Sequence, residues 1–185
     1  MIAEIKADAE DRMKKAVDAT SHEFSKIRTG KATTALLDGI RVEYYGTKVP
    51  LNQAANLAVP EPRLITVQPW EKSMAPEIVK EIQKSDLGLN PIQDGGLIRI
   101  PIPPLNEERR KDLVRLCKKL AEEGRVAIRN VRRDANERLK KAEKDKQISE
   151  DEHHRTADEI QKLTDEYVAE IDKLVAAKEA EVMEV

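Results

Sequence analysis

Apolar residues recur every three or four positions in three long stretches of the chain. The first stretch covers residues 2–27, the second residues 113–142 and the third residues 160–174. This spacing places apolar side chains along one side of an α-helix, and narrow seams of this kind are typical of helices that pack nearly parallel or antiparallel. The pattern therefore predicts a three-helix bundle built from both ends of the chain.

Capping residues indicate where the second and third helices begin. Asn106 can cap the second helix, and Ser149 with Glu152 forms a capping box for the third. At ~1.5 Å per residue, these two helices should be roughly 60 Å and 50 Å long. Because a few residues near 144–148 separate them, we expect them to run antiparallel as a hairpin.

The segment between the first and second helices has a different pattern. Eight of the nine prolines lie between residues 50 and 103, and short β-like runs occupy residues 40–45, 56–59, 64–67 and 97–102. We expect one short helix over residues 75–84, capped by Ser73. Trp70 is expected to pack in the core of this segment, with a partner-facing position as the alternative. Tyr44 and Tyr45 should alternate between a buried and an exposed side of a strand.

These patterns predict a mainly α fold with an α+β insertion. An elongated antiparallel three-helix bundle is expected from residues 1–30 and 104–185, and a small β-rich (β/α/β) domain from residues 31–103. The chain passes twice between the two domains, so that a two-stranded hinge is expected at these crossings. The hinge residues are Gly30, Lys31, Pro103 and Pro104.

Charge is segregated along the chain, although the net charge is only −2. Residues 105–145 contain 14 Lys and Arg against 9 Asp and Glu, whereas residues 149–185 contain 4 against 12. On a helical wheel, many of the basic side chains of the second helix fall within about 100°, and Glu122 is the one acidic residue in that row. We call this set the basic row: Lys111, Arg115, Lys118, Arg125, Arg129, Arg132, Asn136 and Lys140.

A row of this kind is either a solvated helix face with ion pairs or a surface that binds phosphate. Arginine suits phosphate because its guanidinium is permanently charged and can donate two parallel hydrogen bonds. Aromatic residues make up only 3% of the chain, which argues against stacking on unpaired bases. Contact with the backbone of structured RNA is the better interpretation.

The sequence contains no pattern that indicates catalysis. It has no Gly-rich phosphate loop, no nucleophile elbow and no Cys/His cluster with metal-ligand spacing. It also has no apolar run near the ~18 residues of a membrane span, and its N-terminus does not resemble a signal peptide. We therefore expect a soluble cytoplasmic protein that is not an enzyme, binds no membrane and needs no cofactor or metal ion.

Five short motifs occur in order across the whole chain. They read RTGKA at 28–32, EYYG at 43–46, SDLGLNP at 85–91, PPLNEERRK at 103–111 and RNVRR at 129–133. In residues, spacing and total length the chain resembles the bacterial ribosome recycling factor family. Lys31 stands where that family usually has arginine, and Asn106 where it usually has threonine. Lysine lacks the bidentate fork, so a phosphate contact at Lys31 should be weaker, whereas Asn106 retains a capping side chain.

The resemblance implies an L-shaped molecule similar to tRNA, in which a hinge joins the bundle to the small domain. It also implies that the bundle binds rRNA of the large ribosomal subunit and that the small domain faces elongation factor G. With that partner and its GTP hydrolysis, such a factor splits the post-termination ribosome into subunits and releases them from mRNA. A monomer is expected. The alternative is a helical-bundle adaptor that binds structured RNA or protein partners without recycling activity.

The resemblance also assigns roles to individual residues. Arg132 is the first candidate for rRNA contact, with Arg129 beside it. The further candidates are Arg110, Arg133, Arg28, Lys31 and Arg125.

Two of these positions, and the hinge residue Gly30, have alternative interpretations. Arg28 could belong to the last turn of the first helix, where a cation complements the helix dipole. Gly30 could cap the same helix. Arg133 could pair with Asp134 or Glu137 instead of RNA.

Overall fold

The computed structural model describes residues 1–184 of the chain. The chain forms two compact units, one of Met1–Arg28 with the chain from Asn106 onward, the other of Thr29–Leu105. The boundaries lie within two residues of the positions expected at 30/31 and 103/104. Val185, the last residue assigned to the bundle, lies outside the described residues.

The secondary structure is mainly helical, with six short strands in the second unit. The helices are α1 (Ile2–Ser25), α2 (Ala75–Lys84), α3 (Glu107–Lys144) and α4 (Glu150–Met183). The strands are β1 (Arg41–Tyr44), β2 (Thr47–Pro50), β3 (Ala55–Glu61), β4 (Leu64–Pro69), β5 (Ile92–Asp94) and β6 (Leu97–Pro101). Within the described residues no helix is both long and apolar enough to cross a membrane.

The predicted caps of α3 and α4 are confirmed. The Asn106 side chain accepts a hydrogen bond from the backbone N–H of Arg109 at 2.7 Å, and the Ser149 hydroxyl accepts one from Glu152 at 3.1 Å. Each bond satisfies an N–H group that has no partner within the helix. The caps therefore fix where α3 and α4 begin.

α1, α3 and α4 form the predicted three-helix bundle. α3 is antiparallel to α1, since Arg12 bonds to Asp134 and Arg138 bonds to Asp8. α3 is also antiparallel to α4. The core of the bundle includes the fully buried side chains of Met13, Cys117, Ile128, Leu139, Ile160 and Ile171.

Gly124 of α3 lies close to both α1 and α4. A Cβ atom at this position would lie 2.4 Å from the hydroxyl oxygen of Thr20 in α1 and 2.8 Å from Cδ1 of Ile171 in α4. No side chain fits at these distances without movement of the neighbours. Glycine therefore lets both helices pack directly against α3.

The second unit contains two antiparallel sheets and α2. β1 pairs with β2, and the other four strands form a sheet in the order β3-β4-β6-β5. Ile65 and Val67 of β4 lie beside Ile100 and Ile98 of β6 and share a buried core with Ile78 of α2. The sheet and helix thus enclose a core that is separate from that of the bundle.

Four expectations for this unit are corrected by the structure. The β-like runs expected from the sequence did not include strands β2 and β5. α2 is preceded by a 3-10 turn, Lys72–Met74, so its N-cap is Met74 and Ser73 makes no cap. Trp70 is 61% exposed because it follows buried Pro69 in the alternation of β4 and so points to the opposite side. Tyr44 is half-buried rather than buried, whereas Tyr45 is 77% exposed.

The two connecting segments are both bonded to the turn between β3 and β4. The N–H of Ala32 donates to the carbonyl of Pro62 at 2.7 Å, and the N–H of Ile102 donates to the carbonyl of Arg63 at 2.8 Å. Gly30 has φ +79°, and a Cβ atom there would lie 3.2 Å from Cγ of Leu105. The positive φ favours glycine, and any larger residue would also have to displace the side chain of Leu105 slightly.

Candidate nucleic-acid interface

Two members of the basic row, Arg125 and Arg132, lie on the side of α3 that borders α4. Ile128 and Val131 point from α3 into the core, and Arg12 and Asp8 of α1 contact the opposite flank through Asp134 and Arg138. The arginines at 125 and 132 instead reach residues of α4. Because 125 and 132 are seven residues apart, they lie on the same side of the helix, two turns from each other.

Arg125 is bonded to two carboxylates. Its Nε and Nη2 donate to Oδ1 of Asp172 at 2.9 and 2.6 Å, and its Nη1 donates to Glu122 at 3.2 Å. Its side chain is only 22% exposed. Desolvation acts to lower the pKa of Arg125, but the bonds to Asp172 and Glu122 outweigh it and the net shift is upward. Arg125 therefore joins α3 to α4, and its charge is compensated.

Arg129 shares Glu122 with Arg125. Nη1 of Arg129 donates to Oε1 of Glu122 at 3.1 Å, while Oε2 of the same carboxylate accepts from Arg125. The hydrogen bond from Arg125, followed by the one from Arg129, lowers the pKa of Glu122 below its ordinary value. Arg129 is 45% exposed. It thus has one acidic partner at the surface and further N–H groups available for a ligand.

Arg132 has a neutral partner. Its Nη1 donates to the amide oxygen of Gln161 in α4 at 3.1 Å, and the amide nitrogen of Gln161 donates to Asp165 at 2.9 Å. Among residues 1–184, Arg132 makes no ion pair with a carboxylate. Its position is thus set by a hydrogen bond that leaves its positive charge in place.

Two other candidates on α3 differ in their exposure. Arg133 is exposed and pairs with neither Asp134 nor Glu137 within the described chain; Asp134 bonds instead to Arg12. The ion-pair interpretation of Arg133 is therefore wrong. Arg110 is half-buried, and its Nε is buried without a hydrogen-bond partner in the described structure.

Arg28, Lys31 and the expected hinge residues lie in the connecting segments. α1 ends at Ser25, so Arg28 is not in its last turn and Gly30 is not its cap; Lys26 occupies that position. The helix ends in two tighter i→i−3 bonds, from the N–H of Lys26 to the carbonyl of Glu23 at 3.3 Å and from the N–H of Ile27 to the carbonyl of Phe24 at 3.1 Å. Lys31, Pro103 and Pro104 are exposed and lie outside helix and strand.

The acidic and amide partners of the basic row are what the sequence pattern missed. Glu122 was identified as one acidic residue in the row, but it bonds to two arginines. Asp172 and Gln161 were not expected, since they lie 47 and 29 residues away from their partners in the chain. A row with Glu122 as its one acidic residue therefore understates the ion pairing of Arg125 and Arg129.

Comparison with known proteins identifies the family. The family model described as "Ribosome recycling factor" matches residues 20–183. The ribosome-recycling factor of Nitratidesulfovibrio vulgaris (strain DP4) is 56% identical over 178 residues, which cover 96% of each chain. The chain belongs to the ribosome recycling factor family.

Two solved structures of the family extend the match to the fold. A solution structure of the ribosome recycling factor is 48% identical with a TM-score of 0.77, over 100% of this chain and 98% of that one. The second comes from models for the T. thermophilus ribosome recycling factor and the E. coli elongation factor G bound to the E. coli post-termination complex. That chain is 48% identical with a TM-score of 0.65, over 100% of both chains. The resemblance and the predicted fold class are thus confirmed.

The described residues contain no group of three or more His, Cys, Asp and Glu side chains that could hold a metal ion. The side chains brought together on α3 and α4 are cations, carboxylates and an amide, which form ion pairs and hydrogen bonds. Of these groups, the cations whose charge is not cancelled by a carboxylate suit the binding of phosphate.

Proposed function

We propose that the bundle binds rRNA of the large ribosomal subunit through the solvent side of α3, as part of the recycling of post-termination ribosomes. Family membership supports recycling as the process. The observation that supports α3 as the contact is the neutral partner of Arg132, since Gln161 orients the guanidinium without cancelling its charge. An uncompensated arginine on an elongated helix suits a phosphate backbone.

The bonding of each arginine gives an order of importance for this contact. Arg132 comes first because its charge is uncompensated, and Arg129 second because it has one exposed acidic partner. Arg133 is exposed, makes no ion pair in the described residues, and can add to the positive electrostatic potential of this surface. Arg110, Arg28 and Lys31 are proposed as further contacts at the α3 N-terminus and in the connecting segment. Arg125 mainly stabilises the packing of α3 against α4.

We also propose elongation factor G as the partner, acting in the cytoplasm on a monomer of this chain. A related solved structure describes a ribosome recycling factor and elongation factor G together on a post-termination complex. The protein itself then performs no chemistry. GTP hydrolysis by elongation factor G drives the splitting of the ribosome into subunits, and the bundle binds rRNA.

The residues proposed as a hinge are Gly30, Lys31, Pro103 and Pro104. They lie between the bundle helices and the backbone hydrogen bonds that join Ala32 to Pro62 and Ile102 to Arg63. Short segments of this kind can absorb a domain movement.

Arg132→Ala tests the proposed function. It should weaken binding to purified large subunits by about 10- to 100-fold, equivalent to ~1–3 kcal/mol, and slow subunit splitting with elongation factor G and GTP. The matched control is Arg138→Ala, which removes the same charge from the flank of α3 that contacts α1. Control and variant should both melt near the wild type.

The salt dependence of the affinity for large subunits is a second test of the same variants. Each phosphate contact releases counterions, so the affinity of the wild type should fall steeply with salt and that of Arg132→Ala less steeply. If Arg132→Ala binds large subunits and splits ribosomes like the wild type, the proposed role of α3 in rRNA binding is wrong. A stable dimer without affinity for ribosomal particles would then favour the helical adaptor.

A further inference from the structure

Acidic residues recur along α4 at intervals of seven. Asp151, Asp158, Asp165 and Asp172 are so spaced, which puts them along one side of the helix. α3 and α4 run antiparallel, so moving seven residues forward on α3 corresponds to moving seven residues back on α4. Asp172 meets Arg125, and its equivalent for Arg132 is Asp165.

Arg132 nevertheless does not bond to Asp165. Gln161, one turn before Asp165 on α4, lies between them: its amide oxygen accepts from Nη1 of Arg132 and its amide nitrogen donates to Oδ1 of Asp165. Arginine can only donate and an ionised carboxylate can only accept. The two neighbours therefore fix the orientation of the amide, and the amide fixes the guanidinium.

We propose that Gln161, held by Asp165, is the positioning residue of Arg132, orienting its guanidinium for RNA while keeping the charge uncompensated. This inference rests on the proposed rRNA contact of Arg132. A carboxylate at position 161 would orient the guanidinium as well, but it would also pair with it, as Asp172 does with Arg125. RNA phosphate would then have to displace that carboxylate.

Two substitutions separate orientation from charge. Gln161→Ala removes the acceptor and should weaken binding to purified large subunits by about threefold, because the guanidinium then has more orientations to lose on binding. Gln161→Glu keeps an acceptor but adds a competing charge, and should weaken binding by about tenfold. Lys162→Gln is the matched control, since it makes the same change in net charge at the next exposed residue. It should alter binding by less than about twofold.

The decisive measurement repeats both substitutions in an Arg132→Ala background. A positioning residue acts through Arg132, so Gln161→Ala and Gln161→Glu should then have almost no further effect. A general effect on the bundle would persist in that background and would overturn the inference. Equal losses of affinity for Gln161→Glu and Lys162→Gln would also overturn the inference. Melting temperatures of all variants identify any loss of folded protein.

The same set of variants distinguishes the two proposals. If Arg132→Ala weakens binding but both Gln161 variants bind like the wild type, the positioning role is wrong and the rRNA contact stands. If Arg132→Ala itself binds like the wild type, the rRNA contact is wrong.

Discussion

Arg125 and Arg132 lie two turns apart on the same side of α3, and α4 meets them with different chemistry. Arg125 donates to Asp172 and Glu122 and is mostly buried, whereas Arg132 donates to the neutral amide of Gln161. The first arrangement connects two helices and cancels charge. The second holds a side chain in place and leaves its charge for a ligand. Position on a helical wheel therefore does not distinguish a structural arginine from a binding one, but the chemistry of the opposing residue does.

Both arginines depend on the core beneath them, and Ile128 tests that dependence. Ile128 lies between them in sequence and is fully buried. Ile128→Ala should cost about 3 kcal/mol of unfolding free energy through lost burial and a residual cavity, measured by chemical denaturation. The neighbouring Val126→Ala is the control, because Val126 is exposed and its truncation should cost less than ~0.5 kcal/mol. Equal losses would mean that this side of α3 is not the structural core.

Arg125→Ala tests whether Arg125 and Arg132 have different roles. This change removes the connection to Asp172 and should lower the unfolding free energy by about 1 kcal/mol, less at high salt because the carboxylates are screened. Affinity for large subunits should change by less than about twofold. Denaturation and binding titrations on the same preparations would measure both, beside Arg132→Ala. A loss of affinity at Arg125 as large as at Arg132 would contradict the distinction.

The bundle could be predicted from sequence because its signals are local. Apolar seams and the caps Asn106 and Ser149 depend on residues within one or two turns, and the structure confirms them. β5 was missed because its three residues are all exposed and show no alternation. β2 was missed because four residues that include a lysine and a proline give no strand pattern. Trp70 is exposed, contrary to the expectation, because it directly follows β4 and points away from the side on which Pro69 is buried.

The partners of the arginines could not be predicted in the same way. Asp172 and Gln161 meet Arg125 and Arg132 only through the register of α4 against α3, which depends on the packing of the whole bundle. Composition indicated a basic row, and that was sufficient to point to phosphate. The ranking within the row required the tertiary contacts.

Asp172→Asn would give Arg125 a neutral partner like that of Arg132. The amide can still accept from Arg125, and Glu122 remains as a carboxylate partner, so the charge of Arg125 is partly released. Affinity for large subunits should rise by about twofold while stability falls by a few tenths of a kcal/mol. Binding titrations at low and moderate salt would show the gain. Glu170→Gln, which removes an exposed acid from the same helix, is the control. A gain of the same size there would mean that net charge alone, and not the release of Arg125, sets the affinity.

The smallest effect is expected from Glu122→Gln, and it depends on pH. Arg125 and Arg129 hold the pKa of Glu122 below its ordinary value of 4.5. A depressed pKa in the folded state means that the ionised carboxylate stabilises the fold above the unfolded-state pKa, and that this stabilisation is lost as pH falls through the folded-state pKa. The wild type should therefore melt slightly above Glu122→Gln at pH 7, and the two melting temperatures should converge as the pH falls through the depressed pKa of Glu122. Glu123→Gln, which removes an adjacent charge that makes no ion pair in the described chain, should show no such convergence. If the gap between wild type and Glu122→Gln stays constant down to pH 3, the carboxylate does not hold the two arginines, and Arg129 would then be as uncompensated as Arg132.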